Sequence, residues 1–355
     1  MNNNNSIPII DISPLVQLGA DSGDGDPSIS SSSPRLQDVV EQISRACKNF
    51  GFFAVTNHGV NPTIITSAWD ASTNFFDLDP AIKQSVPMSS DYPYGYESNE
   101  SLGTLLNENR SSAHLADSKE TFSVGPIDPA KSGMPSRQFP ENTPATFAPA
   151  LTQYFDACEN LARILFRGLA LALQLDADWF LRPGCFDDGH QCALRVLNYP
   201  QLEHVEDEKG SNKKVHIRAG AHTDYGAMTI LKSGGPGLQL QLGDDSSWID
   251  VPHLSDAFII NLGDLMQRWT NDRWRSTLHR VIAVADKNES DGNDGSGRFQ
   301  SARRQSIAFF VNMNGSARVV PFDSCVDEEH PSQYNAVKAS EHLLLRHSQS
   351  MGNTG

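Results

Sequence analysis

The stretch RAGAHTDYGAMTIL, Arg218 to Leu231, sets a histidine and an aspartate one residue apart where an apolar run begins. That run, AMTIL, is too short for most helices and reads as a buried strand. In extended chain, residues i and i+2 share a face. His222 and Asp224 are therefore expected to aim an imidazole nitrogen and a carboxylate oxygen at one point. The pair alone is a weak signal, because such histidines more often cap turns or pack beside a core.

Two ligands hold a metal poorly, so a third is needed. The candidate is His279 in STLHRVIAV, at the entrance to another strand-like run. Two histidines and one carboxylate on one face of an octahedron leave three positions open, the arrangement used for non-haem Fe(II). A second element, RRQSIAFF, places Arg304 and Ser306 at i and i+2. Arginine presents a planar fork that grips a carboxylate, and a nearby hydroxyl can bind the same group. Alone, such an arginine more often snorkels to water; inside an apolar barrel it needs an anionic partner.

Around these residues the C-terminal half breaks into short strand-like pieces: LRVLNY, AMTIL, LQLQL, WIDV, AFIINL, HRVIAV and QSIAFFVNM. Gly, Asp, Asn and Pro punctuate them, and no helices intervene, which indicates an antiparallel sandwich or barrel. Two polar stretches, 203–214 and 286–302, read as solvated loops. The N-terminal half differs. Leu36, Val39, Val40, Ile43, Ala46, Cys47 and Phe50 recur at helical steps, and a second strong helix is expected over 147–175. Between helix and β core, FFAV (52–55) reads as a buried strand and Asn57-His58-Gly59 as a turn. Residues 84–118 show no sustained period and read as a lid or substrate mouth. The expectation is a single α+β domain over 1–355. Its helix-rich part spans 1–180, the β core with the metal site spans 190–320, and a tail runs from 321 to 355.

The bulk composition is that of a soluble globular protein: 38% hydrophobic, 20% charged, formal net charge −15 over 355 residues. So acidic a surface repels phosphate backbones and argues against nucleic acid. The five cysteines form no CxxC pair and read as free thiols in a reducing compartment. The N-terminus lacks the pattern of a secretory signal, and LARILFRGLALALQL is too short and charged to span a bilayer. A cytoplasmic protein, monomeric or weakly homo-oligomeric, is expected.

The order HxD, H, RxS, each at a strand, resembles the isopenicillin N synthase-like branch of the Fe(II)/2-oxoglutarate-dependent oxygenases. IPIIDISPL, ACKNFGFFAVTNHGV, KETFSVGP, LRVLNYP, GLQLQ and WIDVPHLSDAFIINLGDLMQRWTNDRWRSTLHRV look like that family's blocks, in its order. The resemblance implies a double-stranded β-helix, a cupin-like jelly roll, with flanking helices. It implies that His222, Asp224 and His279 ligate Fe(II). Arg304 and Ser306 would hold the distal carboxylate of 2-oxoglutarate, with Tyr199 joining that pocket. The asparagine common two residues before this tyrosine is Leu197 here, and Asn198, one position off, inherits no role. O2 is the other co-substrate and ascorbate a supporting reductant.

The activity implied is oxidation of an unactivated C–H bond of a small molecule, by hydroxylation, desaturation or ring closure, with release of succinate and CO2. A carboxylate-bearing natural product or amino-acid derivative in secondary metabolism is the expected substrate. Tyr94, Tyr96, Arg110 and Arg218 are candidate substrate residues. Asn261, Gly263 and Asp264 in NLGD read as a structural bend, and His58 as a hydrogen-bonded turn histidine. Two alternatives keep the fold: an isopenicillin N synthase-type Fe(II) oxidase without 2-oxoglutarate, and a non-catalytic small-acid binder. A zinc hydrolase would leave the RxS pair without a purpose.

Overall fold

A computed structural model describes residues 6–20, 33–98, 119–206, 216–243, 247–284 and 298–351. The N-terminal part runs β1 (Ile9–Asp11), α1 (Ser13–Ala20), α2 (Pro34–Asn49), β2 (Phe52–Thr56), α3 (Pro62–Phe76), α4 (Pro80–Lys83), β3 (Gly95–Ser98), β4 (Glu120–Val124), α5 (Pro129–Ser132) and α6 (Phe147–Ala172). The strand-rich part follows with β5 (Ala193–Tyr199), β6 (Leu202–Glu206), β7 (Ile217–His222), β8 (Met228–Ser233), β9 (Leu238–Gln241), β10 (Trp248–Asp250) and β11 (Phe258–Leu262). It closes with α7 (Asp264–Trp269), β12 (His279–Ile282), β13 (Arg298–Ser301), β14 (Arg304–Val311), β15 (Arg318–Val319), β16 (Val337–Lys338) and α8 (Ala339–Met351).

The strands form a major sheet in the order β1-β2-β11-β8-β14-β5-β4-β3 and a minor sheet in the order β10-β9-β12-β7. Every pairing is antiparallel except β1 with β2. This is the expected jelly roll with helices along one side.

Both faces of the major sheet are buried, so its strands read as apolar runs. Val55, Ile230, Phe258, Ile260, Ile307 and Phe309 join a large core with the apolar stripes of α2, α3 and α6. The intervening residues Phe52, Ala54, Leu197, Tyr199, Ile259 and Ala308 turn instead toward the minor sheet's Ala219, Leu240 and Val281 in a second, smaller core. The site lies on this inner side.

α2 ends where Gly51 takes φ +64°; a Cβ there would come within 2.3 Å of the Arg275 carbonyl oxygen, so only glycine fits. His58 is a turn histidine as expected, its Nδ1 accepting from the Val60 N–H at 3.2 Å. All five cysteines are free and buried. No helix among the described residues is long and apolar enough to cross a membrane.

The structure adds secondary structure to three of the expected segments. The described ends of the presumed loops 203–214 and 286–302 pair as β6 with β13; residues 207–215 and 285–297 lie outside the described residues. The N-terminal end of the presumed lid is ordered sheet, since β3 pairs with β4; residues 99–118 lie outside the described residues. The tail beyond 321 contributes β16 and the helix α8.

Candidate metal centre

His222 ends β7 and His279 opens β12, and the two are direct partners across the antiparallel ladder. Direct partners share a face, and the imidazole centroids are 4.3 Å apart. Asp224 is placed differently from the strand reading. It lies beyond the end of β7, in the turn to β8, so alternation along a strand does not aim it.

Other contacts aim it instead. Its Oδ2 accepts from Thr229 Oγ1 at 2.5 Å and from Asn261 Nδ2 at 2.7 Å. Its backbone oxygen accepts from the Asp264 N–H at 2.7 Å. Gly263 allows this close approach, since a Cβ there would sit 2.3 Å from the Gly226 oxygen and 2.9 Å from that of Asp224. The NLGD bend is therefore structural, as expected, and it is the support of the Asp224 turn.

With Oδ2 occupied, Oδ1 faces the histidines, 3.8 Å from His222 Nε2 and 3.9 Å from His279 Nε2. Each imidazole is fixed from behind: His222 Nδ1 lies 2.7 Å from the Gly220 oxygen and His279 Nδ1 3.0 Å from that of Thr277. A carbonyl only accepts, so each Nδ1 carries the proton and each Nε2 presents its lone pair. The three ligand atoms lie within 4.8 Å of one another.

Protonation suits ligation. Burial, reinforced by His279, holds the His222 imidazolium pKa down to about 4 against the opposing pull of Asp224. The Asp224 carboxyl sits below the usual range: burial opposes this, but both histidines and the Asn261 and Thr229 hydrogen bonds outweigh it. A neutral imidazole and an ionised carboxylate are the forms a metal takes. His222 keeps 28% of its side chain exposed while Asp224 and His279 are closed in, which leaves one open approach. Two nitrogens, one carboxylate oxygen and an open side fit Fe(II).

Arg304 begins β14 on the same inner face, with Ser306 two residues on and Tyr199 directly opposite on β5. All three are buried. The guanidinium lies 5.2 Å from the Tyr199 ring centroid. Its Nη2 donates to Ser233 Oγ at 2.9 Å and its Nε to the Pro236 oxygen at 3.1 Å. Nη1 is buried with no partner among the described residues. A buried cation with an unused donor is costly unless an anion completes it. Burial lowers the Arg304 pKa, opposed by Tyr199.

The expected substrate residues lie as follows. Tyr96 belongs to the helix-side core, and its hydroxyl donates to Glu120 Oε2 at 2.6 Å. Tyr94 is buried with its ring against Gly125 and Tyr92. Both rings are taken up by packing. Arg218 is also committed, since its Nη2 donates to the backbone oxygens of Pro200, Ser301 and Ala302, at 2.8 Å for the last. It fastens the neighbouring strand ends, and burial, with the nearby Arg304 charge, lowers its pKa to about 10. Arg110 lies outside the described residues. Asn198 faces away from the barrel, bonded to Glu120 and Arg303.

Sequence reasoning missed Thr229, Ser233 and Lys119. Thr229 and Ser233 stand on β8 at positions that face the barrel interior, a polar-residue signal inside an apolar run that could have been read. Lys119 is buried, and its charge reaches His222; nothing in the local pattern marks it.

Two family models match the chain: the non-haem dioxygenase in morphine synthesis N-terminal model over residues 7–145, and the 2OG-Fe(II) oxygenase superfamily model over residues 191–313. Homoarginine-6-hydroxylase 2-ODD-C23 of Glycine max is 32% identical over 90% of this chain and 89% of its own length. The 2-oxoglutarate-dependent dioxygenase citB of Monascus ruber is 28% identical, covering 96% of this chain and 94% of that one. The crystal structure of a full-length Neurospora crassa protein in complex with alpha-KG superposes with a TM-score of 0.77 at 25% identity, covering 98% of this chain and 97% of that chain. The chain belongs to the 2OG-Fe(II) oxygenase superfamily and is a non-haem Fe(II), 2-oxoglutarate-dependent dioxygenase.

Proposed function

We propose that His222, Asp224 and His279 hold the iron, and that Arg304, with Ser306 and Tyr199, receives the distal carboxylate of 2-oxoglutarate. The buried Arg304 with its unused Nη1 carries this reading, because a co-substrate carboxylate supplies the missing acceptor. When bound, iron supplies O2 activation coupled to conversion of 2-oxoglutarate to succinate and CO2. The chain's own groups then have defined tasks. Gly220 and Thr277 keep the ligand nitrogens deprotonated and oriented. Thr229 and Asn261 hold one carboxylate oxygen of Asp224, so that the other alone ligates. Arg304 fixes the far end of the co-substrate, which sets the direction of its chelating end.

The substrate is a small natural product or amino-acid derivative of secondary metabolism bearing a carboxylate, and hydroxylation is the outcome. The relatives support the amino-acid side of this class: several are named for homoarginine 6-hydroxylation, and others are named 2-oxoglutarate-dependent dioxygenases of the fungi Monascus and Talaromyces. One O2 and one 2-oxoglutarate are consumed per C–H bond oxidised, one oxygen atom entering the product and the other succinate. The test is succinate release in the presence of Fe(II), with L-homoarginine and a panel of amino acids and aromatic acids, each paired with its methyl ester. The proposal expects 2-oxoglutarate-dependent turnover stimulated by acids over esters. Stimulation by esters and uncharged compounds only would reject the substrate class.

A further inference from the structure

We propose that the C-terminal helix α8 clamps the metal loop and that Arg346 is a positioning residue for the iron ligands, an inference that rests on the ligand assignment above. Asp224 stands in a turn, without a strand ladder to hold it, so its geometry depends on what packs against residues 223–225. What packs there is α8.

His342 and Arg346 project from one side of this helix, as i and i+4 positions do, and His347 flanks them. Arg346 Nη2 donates to Thr223 Oγ1 at 3.1 Å, and Thr223 is the residue between the two ligands. Arg346 Nε lies 2.8 Å from Asp264 Oδ2, an ion-pair contact without the alignment of a hydrogen bond. Thr223 Oγ1 also reaches Asp264 Oδ2, at 3.3 Å. Asp264 is the residue whose N–H holds the Asp224 backbone oxygen. One guanidinium therefore touches both supports of the loop. Its carbon also lies 5.0 Å from the Tyr225 ring centroid, and the His347 ring meets the same ring edge-on at 5.3 Å. His342 is buried beside the Tyr225 backbone.

The Arg346 side chain is 34% exposed, so the ion pair contributes little by charge alone. Its effect is geometric: it fixes the Thr223 and Asp264 side chains relative to each other, and with them the angle at which Asp224 Oδ1 meets the histidines. Partners bonded directly to metal ligands are worth about 10- to 100-fold in metal affinity; Arg346 stands one contact further out, so the low end of that range applies. Leu344 and Leu345, 69% and 54% exposed, lie on α8 away from these contacts and provide a control.

The test uses the full chain and Co(II) as probe. Dissociation constants come from competition with a chelator, geometry from the Co(II) visible spectrum, and local opening from hydrogen exchange over residues 220–228. Arg346→Met should weaken Co(II) binding about tenfold, alter the spectrum and raise exchange in that segment, with the rest of the chain protected as before. Arg346→Lys should fall between, keeping the charge but losing the planar fork that spans Thr223 and Asp264. Leu344→Ser should leave Co(II) affinity unchanged. Wild-type affinity and spectrum in Arg346→Met overturn the proposal, as does an equal loss in Leu344→Ser, which would mark a general loosening of the helix. If Arg346→Met does not fold, Thr223→Val decides: weakened binding supports the clamp and unchanged binding rejects it. Failure of the wild type to bind Co(II) would instead reject the ligand assignment itself.

Discussion

The two faces of the major sheet are built from the same strands, equally buried, and do opposite work. On the helix side, Ile230, Ile260, Ile307 and Phe309 interlock with α3 and α6, and the contacts are almost wholly apolar. On the barrel side, the alternate positions of the same strands supply Thr229, Ser233, Asn261, Arg304 and Ser306 among small apolar residues. Polar side chains at half of the positions in a doubly buried strand cost stability unless a ligand or a metal completes them. The first face holds the molecule together. The second, stabilised by it, can carry groups that would not otherwise remain buried.

Substitutions on the two faces should therefore separate stability from chemistry. Phe309→Ala removes a ring that meets Phe155 edge-on at 4.9 Å. It should cost about 3–5 kcal/mol in denaturant unfolding, while the protein that remains folded keeps wild-type Co(II) affinity. Arg304→Met, on the barrel face of the same strand, should do the reverse. Losing a charge-assisted carboxylate clamp of about 1.5–3 kcal/mol raises KM for 2-oxoglutarate by roughly ten- to a hundredfold, with metal affinity held. An unchanged KM would remove Arg304 from the co-substrate pocket. Thr229→Val keeps the shape but removes one of the two hydrogen bonds that hold Asp224 Oδ2, and metal affinity should fall about tenfold in the same competition assay. The smallest effect is expected from Tyr96→Phe. It loses one hydrogen bond to Glu120, about 1 kcal/mol of stability, and leaves the kinetic constants for substrate alone; a changed substrate KM would return Tyr96 to the substrate mouth.

What the sequence made legible were features that repeat along the chain. The strand series, the helices over 34–49 and 147–172, His279 at a strand entrance, and Arg304 with Ser306 on one face all follow from local period. The placing of Asp224 beside the two histidines was expected from strand alternation, which does not apply, because the residue stands in a turn and is aimed by Thr229, Asn261 and Asp264. Two of those contacts join residues far apart in the chain, at a range that no periodicity encodes. The surroundings of Tyr94 and Tyr96 were not legible, because a polar, aperiodic stretch gives no register; for Tyr96 the pairing of β3 with β4 decides which side the ring faces. The contact of α8 with the metal loop was likewise invisible, since its helical residues carry no sign of where the helix lands.

The central claim is that three side chains from separate elements bind one Fe(II) while a buried guanidinium orients the co-substrate on it. Anaerobic titration of the protein with Fe(II) and 2-oxoglutarate, followed by visible absorption, tests it most directly. A metal-to-ligand charge-transfer band should appear only with both present and vanish in Asp224→Ala. In Arg304→Met it should return only at higher 2-oxoglutarate. A band that persists without the Asp224 carboxylate, or that never forms in the wild type, would contradict the account.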